Sequence, residues 1–112
     1  MSMGIGGSAE ILSENENEII YQYYNYDLSV VEHRNDQKIM DGRIIINKNK
    51  ISAEENDIVF LQEQGIITIE NSKNSWCIIG EKYDRIALSL VRKIMKHYEQ
   101  EKSFPEKIGY HV

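Results

Sequence analysis

Three histidines, one cysteine and a dense run of tyrosines and glutamates are the residues of this 112-residue chain that could do chemistry. His33, His97 or His111, with Lys96 and Tyr98, could supply the general acid, general base and cation of a small ribonuclease. Separations of 64 and 14 residues form no signature. The same histidines offer neither HExxH nor His-x3-His, so Asp27, Glu32 and His33 have no metal-ligand spacing to support them, and no metal site is expected. Cys77 lies between Trp76 and the pair Ile78-Ile79. A cysteine in apolar company behaves as a small hydrophobe, whereas a nucleophilic one needs an electropositive, partly open setting. As the sole cysteine it can form no disulfide within the chain. Gly4-Ile5-Gly6-Gly7 is glycine-rich, yet it neither follows a strand nor precedes a Lys-Ser/Thr pair, so it is no phosphate cradle. These readings point away from an enzyme and from any cofactor.

The remaining chemistry is that of recognition. Residues 14–27, ENENEIIYQYYNYD, place Tyr21, Tyr23, Tyr24 and Tyr26 directly after Glu14, Glu16 and Glu18. Tyrosine suits a position half in a core and half in a protein interface. With a strand period of two, Ile19, Tyr21 and Tyr23 share one face, and Ile20, Gln22, Tyr24 and Tyr26 the other. The first set is expected inward. Gln22, Tyr24 and Tyr26 of the second, with Glu14, Glu16, Glu18 and Asp27, are the expected partner-binding surface, provided no one-residue bulge reverses the alternation.

The elements that must position these residues follow from local pattern. Ala9–Ser13 and Glu18–Leu28 read as a β-hairpin behind a loose, flexible segment over residues 1–8. Val30–Met40 reads as a loop. Arg43–Asn47, RIIIN, reads as a buried central strand. Ser52 and Glu55 form a capping box for a helix over about Ala53–Gln64, stopped by Gly65. Ile66–Glu70 and Trp76–Ile79 read as strands. A long helix over about Glu81–Lys102 is predicted from the stripe Tyr83, Ala87, Leu90, Val91, Ile94 and Tyr98. Pro105 ends it, and Phe104, Ile108, Tyr110 and Val112 suggest a last strand. The sum is a single α+β domain over 1–112, with a mostly antiparallel sheet carrying one long and one shorter helix.

Charge narrows the partner. Residues 1–70 hold 13 acids against 5 bases, and residues 71–112 hold 5 against 8. The acidic front disfavours nucleic acid and favours a basic protein. No apolar run approaches the roughly 20 residues that a membrane span needs. The N-terminus lacks the charged-then-apolar pattern of a secretory leader, so a cytoplasmic location is expected.

The strand EIIYQYYNYD, the DGRIIIN strand and the FPEKIGYHV tail after an amphipathic helix together resemble a bacterial immunity protein of a contact-dependent or polymorphic toxin system. That resemblance implies a non-catalytic inhibitor that binds a cognate toxin, a nuclease being the expected target of an acidic partner. A non-toxin adaptor or regulatory module is the alternative from the same features, and a small ribonuclease the third. The oligomeric state stays open.

Overall fold

Alternation along residues 18–27 sets the architecture. The computed structural model describes residues 4–51, 57–76, 78–79 and 83–112. In chain order these form β1 (Ile5–Glu14), β2 (Glu18–Asp27), a 3-10 turn (Val31–His33), β3 (Gly42–Asn47), α1 (Ile58–Glu63), β4 (Ile67–Glu70), β5 (Ile78–Ile79), β6 (Tyr83–Asp84), α2 (Arg85–Glu101) and β7 (Lys107–His111). Five strands make one antiparallel sheet in the order β4-β3-β2-β1-β7, and β5 pairs with β6 in a separate ribbon. The α+β class read from the sequence is the class observed.

Ile19, Tyr21 and Tyr23 are fully buried. They share their face with Ile44 and Ile46 of β3 and Ile67 of β4, and α2 covers it with Ile86, Ala87, Leu90, Val91 and Ile94. Each aliphatic side chain so buried contributes roughly 1.5–3 kcal/mol by removal from water, which is why α2 lies with its apolar stripe down. A bulge does occur, but in β1, where the register shifts between Ile11 and Ser13. It turns Leu12 out to 48% exposure and leaves the alternation of β2 intact.

Several expectations are corrected. Residues 5–8 are not a loose lead-in: they open β1, paired with β2 on one side and, from Gly6, with β7 on the other. Gly7 must be glycine for packing reasons, since a Cβ there would stand 2.9 Å from Ile86 Cγ2 of α2 and 2.2 Å from the Tyr24 carbonyl oxygen. Tyr83 belongs to β6 and not to the helix, because Asp84 breaks in with extended backbone and caps α2 at Ile86. The shorter helix starts at Ile58 under an Asp57 cap. Its expected capping box, Ser52 and Glu55, lies outside the described residues, as does Cys77.

One polar cluster ties the sheet to the start of α2. The buried Asp84 carboxylate accepts from Tyr23 Oη (2.7 Å), Asn25 Nδ2 (2.8 Å) and Ser75 Oγ (2.7 Å) through Oδ2, while Oδ1 accepts from the Ile86 N–H (3.0 Å). Tyr23 Oη in turn accepts from the Ser72 N–H (2.8 Å). At the other end of the core, Tyr21 Oη donates to the Pro105 carbonyl (2.5 Å), fixing the link between α2 and β7. Burial, helped by Asp84 at Tyr23 and by Glu14 at Tyr21, raises both phenol pKa values well above the ordinary 10.

Two outcomes follow. Asp84→Ala strands three side-chain donors, two of them buried, and uncaps a 17-residue helix, so chemical denaturation should show a loss of about 2–4 kcal/mol. A phenol whose folded pKa is raised stabilises fully below its unfolded value and loses that contribution as pH rises through the folded one. Alkaline titration followed by tyrosinate absorbance should therefore leave Tyr21 and Tyr23 neutral above pH ~10 until the chain unfolds, in one step with loss of circular dichroism.

Candidate functional site

The seven residues expected to form one surface are divided by the length of β2. Ten residues at ~3.3 Å each place Glu18 and Asp27 nearly 30 Å apart. At the hairpin tip, Glu14 pairs with Lys48 (2.6 Å), Glu16 is exposed and Glu18 is half-buried. There Asn15 Oδ1 accepts from the N–H groups of Asn17 (2.8 Å) and Glu18 (2.9 Å), so the tip is shaped by asparagine. Gln22, at mid-strand, donates to Glu10 (2.9 Å).

Tyr24, Tyr26 and Asp27 stand at the far end. Asp27 is only 8% exposed: its Oδ1 accepts from the N–H (3.0 Å) and hydroxyl (2.6 Å) of Ser29, closing the turn that leaves β2. Tyr24, expected outward, does lie on the sheet face away from α2, yet only 7% of it is exposed. Arg34, Asn35, Asp36 and Lys38, from the segment read as a polar loop, line a depression beside it.

Tyr26 remains half-exposed and stacks in line with Tyr24 (centroids 6.3 Å apart) and His111 of β7 (5.9 Å). Gly6 makes this row possible. It sits on β1 between Tyr26 and His111 in register, and a Cβ there would come within 2.9 Å of Tyr26 Oη and 2.1 Å of the Tyr110 carbonyl oxygen. With that space empty, Tyr26 reaches across β1 to a 2.7 Å hydrogen bond with His111 Nδ1. Burial first, then the neighbouring Tyr24 phenol, raises the pKa of Tyr26 above 10.

Beside this row lies a depression of about 230 Å³, lined by Tyr24, Tyr26, His111, Leu28, Arg34 and Lys38. Its wall is the segment between β2 and β3, which exposes Leu28 (49%), Val30 (36%), Val31 (85%) and Ile39 (55%). The segment has a defined shape. Asn35 and Lys38 take left-handed backbone angles, φ 49° and 53°, a conformation costing roughly 1–2 kcal/mol per residue. Asn35 offsets its share by donating to the Asn25 carbonyl (3.0 Å) and accepting from the Ile39 N–H (3.1 Å). Asn74 Nδ2 donates to the same Asn25 carbonyl (2.9 Å), and its Oδ1 meets His33 Nδ1 at 3.1 Å. Sequence reasoning missed this surface by reading polarity and not the aliphatic residues scattered without period from Leu28 to Ile39.

The three histidines occupy three separate places: His33 against Asn74 and Trp76, His97 on the Ser103 carbonyl (2.9 Å), and His111 beside Tyr26. Among the described residues no three His, Cys, Asp or Glu side chains gather closely enough to hold a metal ion. No helix among them is long and apolar enough to cross a membrane. No protein-family model, no curated protein and no solved structure matches the chain.

Gly6→Ala should break the aromatic row, since the new methyl group meets main-chain oxygen that cannot swing aside. A loss of about 1–3 kcal/mol in denaturation is expected, with disappearance of the ring-current shifts that link Tyr26 and His111.

Proposed function

We propose that this domain is a bacterial immunity protein, a non-catalytic inhibitor that binds a cognate protein toxin in the cytoplasm through the Tyr26–His111 end of its sheet and the adjoining segment 28–39. The observation that supports this reading is the exposure of four aliphatic side chains, Leu28, Val30, Val31 and Ile39, on a backbone held in fixed shape beside stacked aromatic rings. Clustered exposed apolar groups with a polar rim mark interaction surfaces, and a pre-shaped segment loses less entropy on docking. Tyr26 presents its ring as the anchor, while buried Tyr24 stacks beside it on the same face of β2.

Arg34, Asp36 and Lys38 supply the rim, a mixture of both signs, with Arg34 and Asp36 paired at 3.5 Å. Contact at this end is therefore selected by shape and apolar burial more than by net charge. The hairpin acids act differently. At nearly 30 Å they lie several Debye lengths (about 8 Å each at physiological salt) from the contact. Glu16 and Glu18 help to draw in a basic toxin through association rate at low ionic strength.

The test is neutralisation of, and affinity for, the product of the adjacent open reading frame. Tyr26→Ala and Val31→Asp should each weaken binding by on the order of 30-fold, equivalent to about 2 kcal/mol, while the thermal transition stays within a few degrees. Glu16→Lys should change affinity less than threefold at physiological salt but slow association at low salt. Undiminished protection by a folded Tyr26→Ala/Val31→Asp double variant sinks the assignment of this surface.

A further inference from the structure

The β7 edge of the sheet adjoins a strongly basic face of α2, and the two together form a built receptor for an extended chain. Among the described residues β7 is an edge strand, paired with β1 on one side. The Val112 N–H donates to the Ile5 carbonyl (2.9 Å), and the Ile11 N–H donates to the Glu106 carbonyl (3.0 Å). Because main-chain groups alternate in direction along an antiparallel pair, Ile108 and Tyr110 also face β1. Lys107, Gly109 and His111 turn their N–H and C=O groups to the open side.

Above that edge runs α2. Arg85, Arg92, Lys93 and Lys96 are all exposed, and none of them makes an ion pair among the described residues. No acid occurs from Arg85 to Tyr98. Between helix and strand is a groove of about 290 Å³ lined by Ser89, Arg92, Lys93, Lys96 and Tyr110. Lys93 Nζ spans it, donating to the Gly109 carbonyl at 2.7 Å and standing 5.8 Å from the centre of the Tyr110 ring. A lysine on an edge carbonyl guards the edge against indiscriminate pairing. It is also displaceable by a better acceptor, and a carboxylate is one.

We propose that β7 accepts an acidic, extended segment of a partner protein as a sixth strand, its carboxylates directed alternately into the basic groove under α2. On arrival, Lys93 transfers from the Gly109 carbonyl to an incoming carboxylate, and the freed carbonyl accepts a main-chain N–H from the new strand. The order of events makes the edge selective: a neutral strand leaves the lysine in place, and an acidic one removes it. Main-chain hydrogen bonds supply affinity, and the charge on alternate side chains supplies choice. Charge complementarity favours an acidic polypeptide here. A polynucleotide lacks the regular N–H donors that Gly109 and His111 would match. The site meets the surface proposed for toxin binding only at His111, whose ring stacks on Tyr26 there and whose main chain faces the open edge here, and it stands without that reading.

A fluorescein-labelled heptapeptide of alternating glutamate and valine is the probe, measured by fluorescence anisotropy against the whole chain, with amide shifts of Lys107, Gly109 and His111 as the positional readout. Binding is expected, with shifts at those three amides. N-methylation of alternate peptide nitrogens should weaken it at least tenfold with the protein untouched, and so should Arg92→Glu/Lys96→Glu, two exposed changes that leave the core alone. An alternating lysine–valine peptide should not bind. The proposal is overturned by any of four results: no binding at millimolar peptide, equal binding of the N-methylated peptide, a single-stranded RNA 12-mer that binds this face more tightly than the peptide, or concentration-dependent shifts at the same amides without peptide, which would make a second copy of the chain the occupant.

Discussion

A single buried carboxylate holds the molecule's parts in register. Among the described residues no cation pairs with Asp84, and its carboxylate is met by hydrogen bonds: three side-chain donors on Oδ2 and the Ile86 N–H on Oδ1. Desolvating a carboxylate costs several kcal/mol, and charge-assisted hydrogen bonds return about 1.5–3 kcal/mol each. The arrangement is close to balanced in energy, and its consequence is geometric. The four donors come from β2, from the connection after β4 and from α2 itself, so they are satisfied together only when the helix starts where it does. Moving that start by one residue would turn the stripe Leu90, Val91 and Ile94 about 100° away from Ile19, Tyr21 and Tyr23.

Around that anchor, β1 is the thinnest part of the fold. Gly7 lets α2 approach on one side of the sheet, and Gly6 lets Tyr26 cross to His111 on the other. Consecutive glycines weaken a strand in isolation by roughly 0.5–1 kcal/mol each. Here pairing on both edges, to β2 and to β7, offsets the weakness. The same two residues thus carry the helix packing and the aromatic row, which couples the core to the surface proposed for binding.

How much of this was legible depends on which force decided each element. Period two in residues 18–27 correctly put Ile19, Tyr21 and Tyr23 inside, because a sheet with one covered face imposes that alternation. The stripe from Ala87 to Ile94 did the same for α2. The pattern failed at Tyr24, since alternation tells which face a residue takes and not what later chain will cover that face. Charge alone put Asp27 with the outward residues, although period two places it on the face of Tyr21 and Tyr23, where its carboxylate closes a turn. Grouping Glu14, Glu16 and Glu18 with Tyr26 treated neighbours in sequence as neighbours in space, which an extended strand does not allow. Glycines at 4, 6 and 7 read as looseness, whereas close approach of a helix and a tyrosine required two of them, a demand visible only once the partners are placed.

The net charge of −5 describes none of the surfaces well. With the longest dimension at 40 Å and screening over about 8 Å at physiological salt, the hairpin tip, the rim of segment 28–39 and the exposed face of α2 act as separate fields. Acid dominates the first, both signs alternate on the second, and base alone occupies the third from Arg85 to Tyr98, before Glu99 and Glu101. A domain built this way can present an acidic tip to a basic protein and a basic groove to an acidic segment without one interaction weakening the other. Repulsion of nucleic acid by the acidic first half of the chain is therefore confined to the hairpin end. On the α2 face the choice between peptide and polynucleotide rests on the edge of β7, where Gly109 and His111 hold out main-chain groups that another strand can match.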